Sequence, residues 1–499
     1  MVPALLRSVS ALSLLLAASA CQPQGDQDTD ETPVAEDPVT DDTTADVDAT
    51  PSTDPVSEPE PVPVPEPEPE PVELALNDVS ILLPPPLSTD DPALAITDLG
   101  FDGSSVWPDE LFQQFLGIAN GNFGAVAAED VANNSRGSSI DISAFADKSV
   151  WHVASVRIDP GAPGLSKEIA EVFGQQPQIR LVLQPVTDGV VVHDVAAHII
   201  YSYIADAEKI DDCALRRFEP DQARFRQIVD DAVEIKSKLA AGEIGGEAIM
   251  TDGPLGIHPA ADPDRASMVT RTAFRDALQD FLETHLDPSK INAMAIMGLP
   301  GGRDPEPWIF LAMARGQTGQ VSPVPSPAIP QEGKIRFAQM LDARPRAPGN
   351  PTVSPAVRAN NLTPITCAFE VPVDPRQPGG PKPPANPIGV STAELFPDGD
   401  AARMREIVDV IADPTKAHFF NTDCVSCHTE TRREMDILGT NEVDAPVDPA
   451  VLPTELWNVR NFGWFPPFPS GTPLATVTRR TATESEEVVE AINDDLRTR

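Results

Sequence analysis

The chain has 499 residues, with 77 Asp and Glu against 36 Lys and Arg and a formal net charge of −41. No basic stripe runs along it, which excludes nucleic-acid binding through phosphate contacts and adhesion to anionic headgroups by charge alone. Its length supports a substantial core, but the acids are unevenly spread: 17 of them, with no Lys or Arg, lie between Gln22 and Glu73.

In chain order, Arg7 precedes an apolar stretch from Ala11 to Ala18. This reads as a signal-peptide core over residues 1–20, shorter than the roughly 20 apolar residues a membrane span takes. Ala18, Ser19 and Ala20 run into Cys21, an arrangement that resembles the lipobox of bacterial lipoproteins, with Ala18 where Leu is usual. The resemblance implies that Cys21 is lipidated and becomes the mature N-terminus. Gln22, standing where Asp would signal retention, is similar to the outer-membrane sorting pattern.

Residues 21–73 are acidic and end in the alternating run Glu58 to Pro69. Such a segment buries too little apolar surface to fold and repels itself, so it is expected to be a disordered, extended tether. A body follows over residues 74–375. Strands are predicted at Trp151–Ile158, at Ile179–Leu183 and from Val190 to Tyr203, and two apolar stretches, Ala293–Met297 and Trp308–Leu311, follow later in the chain. Helices are predicted over Asp221–Leu239, with Phe225, Ile228, Val229, Ala232 and Ile235 on one face, and over Ser267–Leu286, with Phe274, Leu278 and Leu282 on one face. Strands first and helices after them indicate an α+β body rather than a doubly wound sheet.

His193, Asp194 and His198 offer a metal reading, but a strand through them would point the two imidazoles, five positions apart, to opposite sides. Met294, Met297 and Met313 read as core filling. Gly298 to Gly302 is a turn, lacking the Lys and Ser/Thr of a phosphate loop. The Pro-rich stretch 376–397 is a linker, and Ile365–Val371 just before it reads as a strand that belongs to the body if Cys367 pairs with Cys213.

Residues 398–499 hold the most specific motif, Cys424-Val425-Ser426-Cys427-His428. Two thiols three positions apart reach the two vinyl groups of a haem, and the adjacent imidazole then ligates the iron. A redox dithiol would favour a helix start after a strand, and a zinc site would need two further ligands. Around the motif, Met404, Ile407, Val408 and Ile411 mark a helix capped by Asp400. A terminal helix is marked by Val488, Val489, Ile492 and Leu496, opened by a capping box from Thr483 to Glu486. The region resembles a small monohaem cytochrome c domain, which implies an all-α fold, haem c bound by Cys424 and Cys427, iron held by His428, and electron transfer with a redox protein partner.

In that family a later Met supplies the sixth ligand. Here Met435 follows His428 by only two helical turns and stays on the proximal side. His418 is the first candidate for the second axial position, with Met404, a residue of the body or an open site as alternatives. The segment Trp457 to Trp464 is expected to pack on the porphyrin. Once Cys21, Cys424 and Cys427 are assigned, Cys213 and Cys367 remain. In an oxidising periplasm they are expected to form a disulfide, worth up to roughly 5 kcal/mol on the chain-entropy model, the alternative being two buried thiols. The functions that follow are electron transfer at the outer membrane or in the periplasm, a haem peroxidase or gas sensor with an open sixth site, or a surface-binding lipoprotein in which haem is secondary.

Overall fold

The structure is a computed structural model that describes residues 72–132, 142–161, 175–209, 216–298, 309–316 and 318–323, and in the C-terminal region 405, 408, 409, 411–414, 428, 430–432, 434, 435, 443–454, 458, 460–467 and 471–499. These residues belong to one unit, Val72–Arg499. At its centre is an eight-stranded antiparallel sheet. Its strands are β1 (Ser80–Leu82), β2 (Trp151–Asp159), β3 (Gln178–Thr187), β4 (Val191–Val192), β5 (Val195–Ser202), β6 (Ile291–Gly298), β7 (Ile309–Arg315) and β8 (Val321–Pro323). The order is β1-β2-β3-β5-β6-β7-β8, with β4 pairing only β3. The α+β expectation for the body therefore holds.

The first three strand predictions are met at β2, β3 and the β4–β5 pair, where alternating Val, Ile and Leu fit a pleated sheet. Helix α1 (Asp109–Ala132) was not anticipated. Helix α2 (Gln222–Ala240) starts at Asp221, whose carboxylate accepts from Arg224 N, and α3 (Met268–His285) starts at Ser267, whose hydroxyl accepts from Thr270 N. Both helices follow the predicted periodicity. The turn at 298–302 lies largely outside the described residues, and the strand at 365–371 lies wholly outside them.

Each strand presents alternate residues to opposite faces. One face carries Trp151, Val153, Val156, Ile158, Ile179, Leu181, Leu183, Ala197, Ile199, Tyr201, Met294 and Ile296. These join a single apolar cluster with Phe112 and Phe115 of α1, Ile228 and Val229 of α2, and Leu278 and Leu282 of α3. A bulge between Val153 and Ser155 and another between Ile291 and Ala293 keep this alternation in phase along the sheet. Met294 and Met313 fill this core, as the sequence suggests.

The C-terminal region departs from the all-α expectation. It contains a two-stranded hairpin, β9 (Phe462–Phe465) with β10 (Leu474–Val477), before its final helix α4 (Arg479–Thr498). The reason is visible in composition: Phe462-Gly463-Trp464-Phe465 and Leu474-Ala475-Thr476-Val477 are aromatic and β-branched runs. Helix α4 also begins a turn before the predicted capping box. Thr478 is its cap, accepting from Thr481 N. Thr483 lies inside it and donates to Ala412 O at 2.7 Å.

Candidate functional site

The sheet's second face is polar, yet it is covered. Two rows of paired residues cross it: Leu82, Ser155, Val182, His198 and Ala295 form one, and Ser80, Arg157, Arg180, Ile200 and Ala293 form the other. The C-terminal residues lie on these rows. Ser155 Oγ donates to Phe462 O at 3.1 Å, and Gln184 donates to Trp464 O at 2.9 Å while accepting from Trp464 N at 2.6 Å. Strand β9 comes this close because Gly463 has no side chain; a Cβ there would sit 2.7 Å from Gln184 Oε1. Ser80 and Ser485 hydroxyls meet at 2.8 Å, and Arg157 donates to Glu484 Oε2 at 3.1 Å.

The start of α4 ties down the neighbourhood of the Cys424–His428 motif. Arg479 donates to Asp409 Oδ1 at 2.7 Å and to Glu434 Oε1 at 2.9 Å, and its Nε lies 3.4 Å from Glu430 Oε2. Its backbone N–H donates to Thr431 Oγ1 at 2.8 Å. Arg480 donates to the carbonyls of Ile411 and Asp413 at 3.1 and 3.0 Å and to Glu484 Oε1 at 2.6 Å. Removed from water, Glu430 titrates above its usual range despite Arg479, and Glu434 is pushed up to about 7 by the same burial. Described positions on both sides of the motif are thus clamped to one buried pair of arginines.

His428 is helical and half-buried, and the described positions 430–432, 434 and 435 are helical after it. Met435 is buried among Leu82, Leu255, Val447 and Val451, so its thioether is committed to packing and the helical continuation past the motif holds. Trp464, expected against a porphyrin, instead donates from Nε1 to Leu83 O at 2.8 Å within the apolar cluster. Cys21, Cys213, Cys367, Cys424, Cys427 and His418 lie outside the described residues, as do Asp400, Met404, Ile407 and Trp457.

The two body histidines occupy different surroundings. His193 sits between β4 and β5, its Nε2 2.8 Å from Thr187 Oγ1 and its ring 4.8 Å from that of Phe145. Asp194 accepts from Arg460 Nε at 2.8 Å. His198 is on the covered polar face, and its Nε2 is shut off from solvent with no hydrogen-bond partner. Burial first, then Arg180, His428 and Arg460, depress its imidazole to about 3, leaving it neutral. Arg180 Nε and Arg460 Nη1 are likewise enclosed without hydrogen bonds.

This grouping tests whether a haem suits the residues present. Such a group brings a metal that seeks neutral imidazole nitrogen and carboxylates that seek guanidinium donors. Unpartnered His198 Nε2, Arg180 Nε and Arg460 Nη1 are groups of both kinds, and the side chains paired with His198 across the sheet, Val182 and Ala295, are apolar. The residues fit the group. Among the described residues no cluster of three or more His, Cys, Asp and Glu could hold a bare metal ion, and no helix is long and apolar enough to cross a membrane. Comparison of the chain with protein-family models, with curated proteins and with solved structures finds no match.

Sequence reasoning set His198 aside and overlooked Arg157, Arg180 and Arg460. The available signal was the alternation itself. Ser155, Arg157 and Asp159 on β2, with Gln178, Arg180 and Gln184 on β3, put polar side chains on one face of neighbouring strands, where all but Arg180 are buried.

Proposed function

We propose that this chain is an exported, lipid-anchored c-type haem protein that carries single electrons at the bacterial outer membrane. The observation that carries the reading is the Cys424-x-x-Cys427-His428 spacing. It is supported by the helical, half-buried setting of His428 near a covered face rich in guanidinium groups. Haem c would supply a ferric–ferrous couple, held by His428 at the iron and by Cys424 and Cys427 as the covalent attachment. Arg180 and Arg460 would answer its carboxylates, and the enclosed surroundings would restrict water. Cys21 would carry the lipid, and the acidic tether would hold the folded part away from the bilayer. The partner class is another redox protein. Nucleic acid is a poor partner for a chain of this charge.

Expression of the full chain with an export and haem-ligation system tests this. A haem-stained band should survive denaturing electrophoresis and fractionate with membranes. The Cys424→Ala/Cys427→Ala double variant should lose the stain, and Cys21→Ser should move the stained protein to the soluble fraction. Covalent haem retained by the double variant would refute the attachment site.

A further inference from the structure

We infer that the end of the covered face where β2 and β3 bring Arg157, Asp159, Gln178 and Arg180 together binds a free oxyanion that carries its own proton, of the class of inorganic phosphate. This site goes beyond the haem reading and does not depend on it.

Register places the residues. Arg157 is opposite Arg180 and Asp159 is opposite Gln178 in the β2–β3 ladder, and Gln178 is opposite Ser202 of β5. Because residues two apart on a strand share a face, these five side chains form one patch. Arg157, Asp159, Gln178 and Ser202 are buried, whereas Arg180 is half-buried and gives the patch its edge toward solvent.

The guanidinium groups supply donors. Arg157 commits Nη1 to Glu484 Oε2 at 3.1 Å, but its Nε and Nη2, the parallel N–H groups that grip two oxygens of one anion, have no hydrogen-bond partner. Arg180 Nε is enclosed and likewise without one, and Arg180 forms no ion pair with a described residue. Neighbouring carboxylates do not fill these positions. Asp159 Oδ2 lies 3.6 Å from Arg157 Nε, beyond hydrogen-bond reach, and the two oxygens of Glu484 accept from Arg157 and Arg480. An enclosed cation left in this way favours an anion beside it.

Acceptors in the patch decide which anion. Asp159 Oδ2 and Gln178 Oε1 are enclosed and accept no hydrogen bond. Both side chains are fixed through their other atoms, since Asp159 Oδ1 accepts from Gly161 N at 3.0 Å and Gln178 Nε2 donates to Gly161 O at 3.0 Å. A fully deprotonated oxyanion offers such oxygens nothing, so they call for a ligand with an O–H. Phosphate keeps at least one O–H at neutral pH; sulfate has none. The Ser202 hydroxyl, also without a partner, can meet either kind of oxygen.

Isothermal titration calorimetry and thermal denaturation of the full chain test the site, with inorganic phosphate and sulfate as the probes. Wild type should bind phosphate and melt at a higher temperature in its presence, and should do neither with sulfate. Arg180→Gln should fold, because Arg180 makes no hydrogen bond or ion pair that would be lost, and should bind phosphate about tenfold more weakly or worse. Asp159→Asn, which adds a donor where the ionised carboxylate only accepts, should narrow the preference for phosphate over sulfate. A wild type that binds neither anion, or both equally, overturns the inference and needs no variant to fold. So does phosphate binding that Arg180→Gln leaves unchanged. Haem-loaded protein and the Cys424→Ala/Cys427→Ala variant should bind phosphate alike, since the five donors of a guanidinium let Arg180 serve a haem carboxylate as well. Binding confined to that variant would give Arg180 to haem alone, overturning the free-anion site and leaving the haem reading intact. Phosphate binding by a wild type that never acquires covalent haem would refute the haem reading and leave this site standing.

Discussion

On one side of the central sheet Trp151 meets Trp107, Phe115 and Phe145 edge to face, with ring centres 6.2, 6.1 and 6.3 Å away. On the other side Arg157, Arg180, Gln184 and His198 are covered by the hairpin and helix that follow the haem motif. Both faces are shielded, but for different physical reasons. The first gains from removing apolar area from water, roughly 25 cal/mol per Å², with little dependence on what else is bound. The second must satisfy every polar group it encloses, and several atoms have no hydrogen-bond partner: Arg157 Nη2, Gln178 Oε1, Arg180 Nε and His198 Nε2, while Asp159 Oδ2 has only the ion pair to Arg157 Nε at 3.6 Å. A fold that needs only a core has no reason to keep the second arrangement, since burying unpaired polar groups is costly. The difference separates a face held by apolar burial from one held by hydrogen bonds and ion pairs to the C-terminal residues.

The sharpest way to break this comparison is to cut into the dry face. Trp151 is fully buried and donates from Nε1 to Phe145 O at 2.9 Å. Trp151→Ala should cost about 3 to 5 kcal/mol in chemical denaturation of the full chain, by lost transfer energy and an incompletely collapsed cavity. Its effect should be the same at pH 4 and pH 6, because no titratable side chain is among these ring contacts. A strongly pH-dependent penalty would show that the two faces are not energetically separate.

The polar face should respond to pH where the dry face does not. Burial raises the Asp159 carboxyl from its ordinary 3.8 to about 6, against the opposing pull of Arg157, the Gly161 N–H and Arg180. Between those values the folded chain keeps a proton that the unfolded chain has released. Stability from this group is therefore present below about pH 3.8, falls as pH rises through the window, and stays constant above about 6. Two pH units correspond to about 3 kcal/mol. Asp159→Asn should flatten that part of the denaturation profile measured from pH 4 to 6, and an unchanged slope would remove Asp159 from the account.

Much of the dry face was legible in sequence, because period-2 alternation at Trp151–Ile158 and Ile179–Leu183 and the helical spacing at Phe225–Ala232 reflect one packing partner each. Helix α1 was not, as Gly117, Gly121 and Gly124 with Asn120 and Asn122 dilute its apolar signal. The polar face was misread for a different reason. Alternation on a strand says that one side is buried and leaves the other side to water by default. Only a long-range contact, such as Ser155 with Phe462 or Asp194 with Arg460, turns that solvent side into an interior. His198 illustrates the consequence: its distance from His193 along one presumed strand excluded a shared metal between the two, yet the chain breaks between β4 and β5 and His198 lies on the face that the C-terminal residues cover.

The smallest expected effect tests how the cover is attached. Ser485 Oγ donates to Thr481 O at 2.8 Å, and a hydroxyl has one proton, so in the 2.8 Å contact with Ser80 it must accept. The two ends of this bond are then unequal. Ser80→Ala removes a donor but leaves the Ser485 proton engaged, and should cost about 1 kcal/mol. Ser485→Ala strands the buried Ser80 hydroxyl under α4 and should cost more, about 1 to 3 kcal/mol. Once Ser80 is already Ala, that stranded donor no longer exists, so the double variant should be destabilised by less than the sum of the two single changes. A double-mutant cycle by denaturant titration measures the difference. Strict additivity would mean that these hydroxyls do not interact across the interface, and that α4 is held on β1 and β2 by Arg157, Glu484 and Arg480 instead.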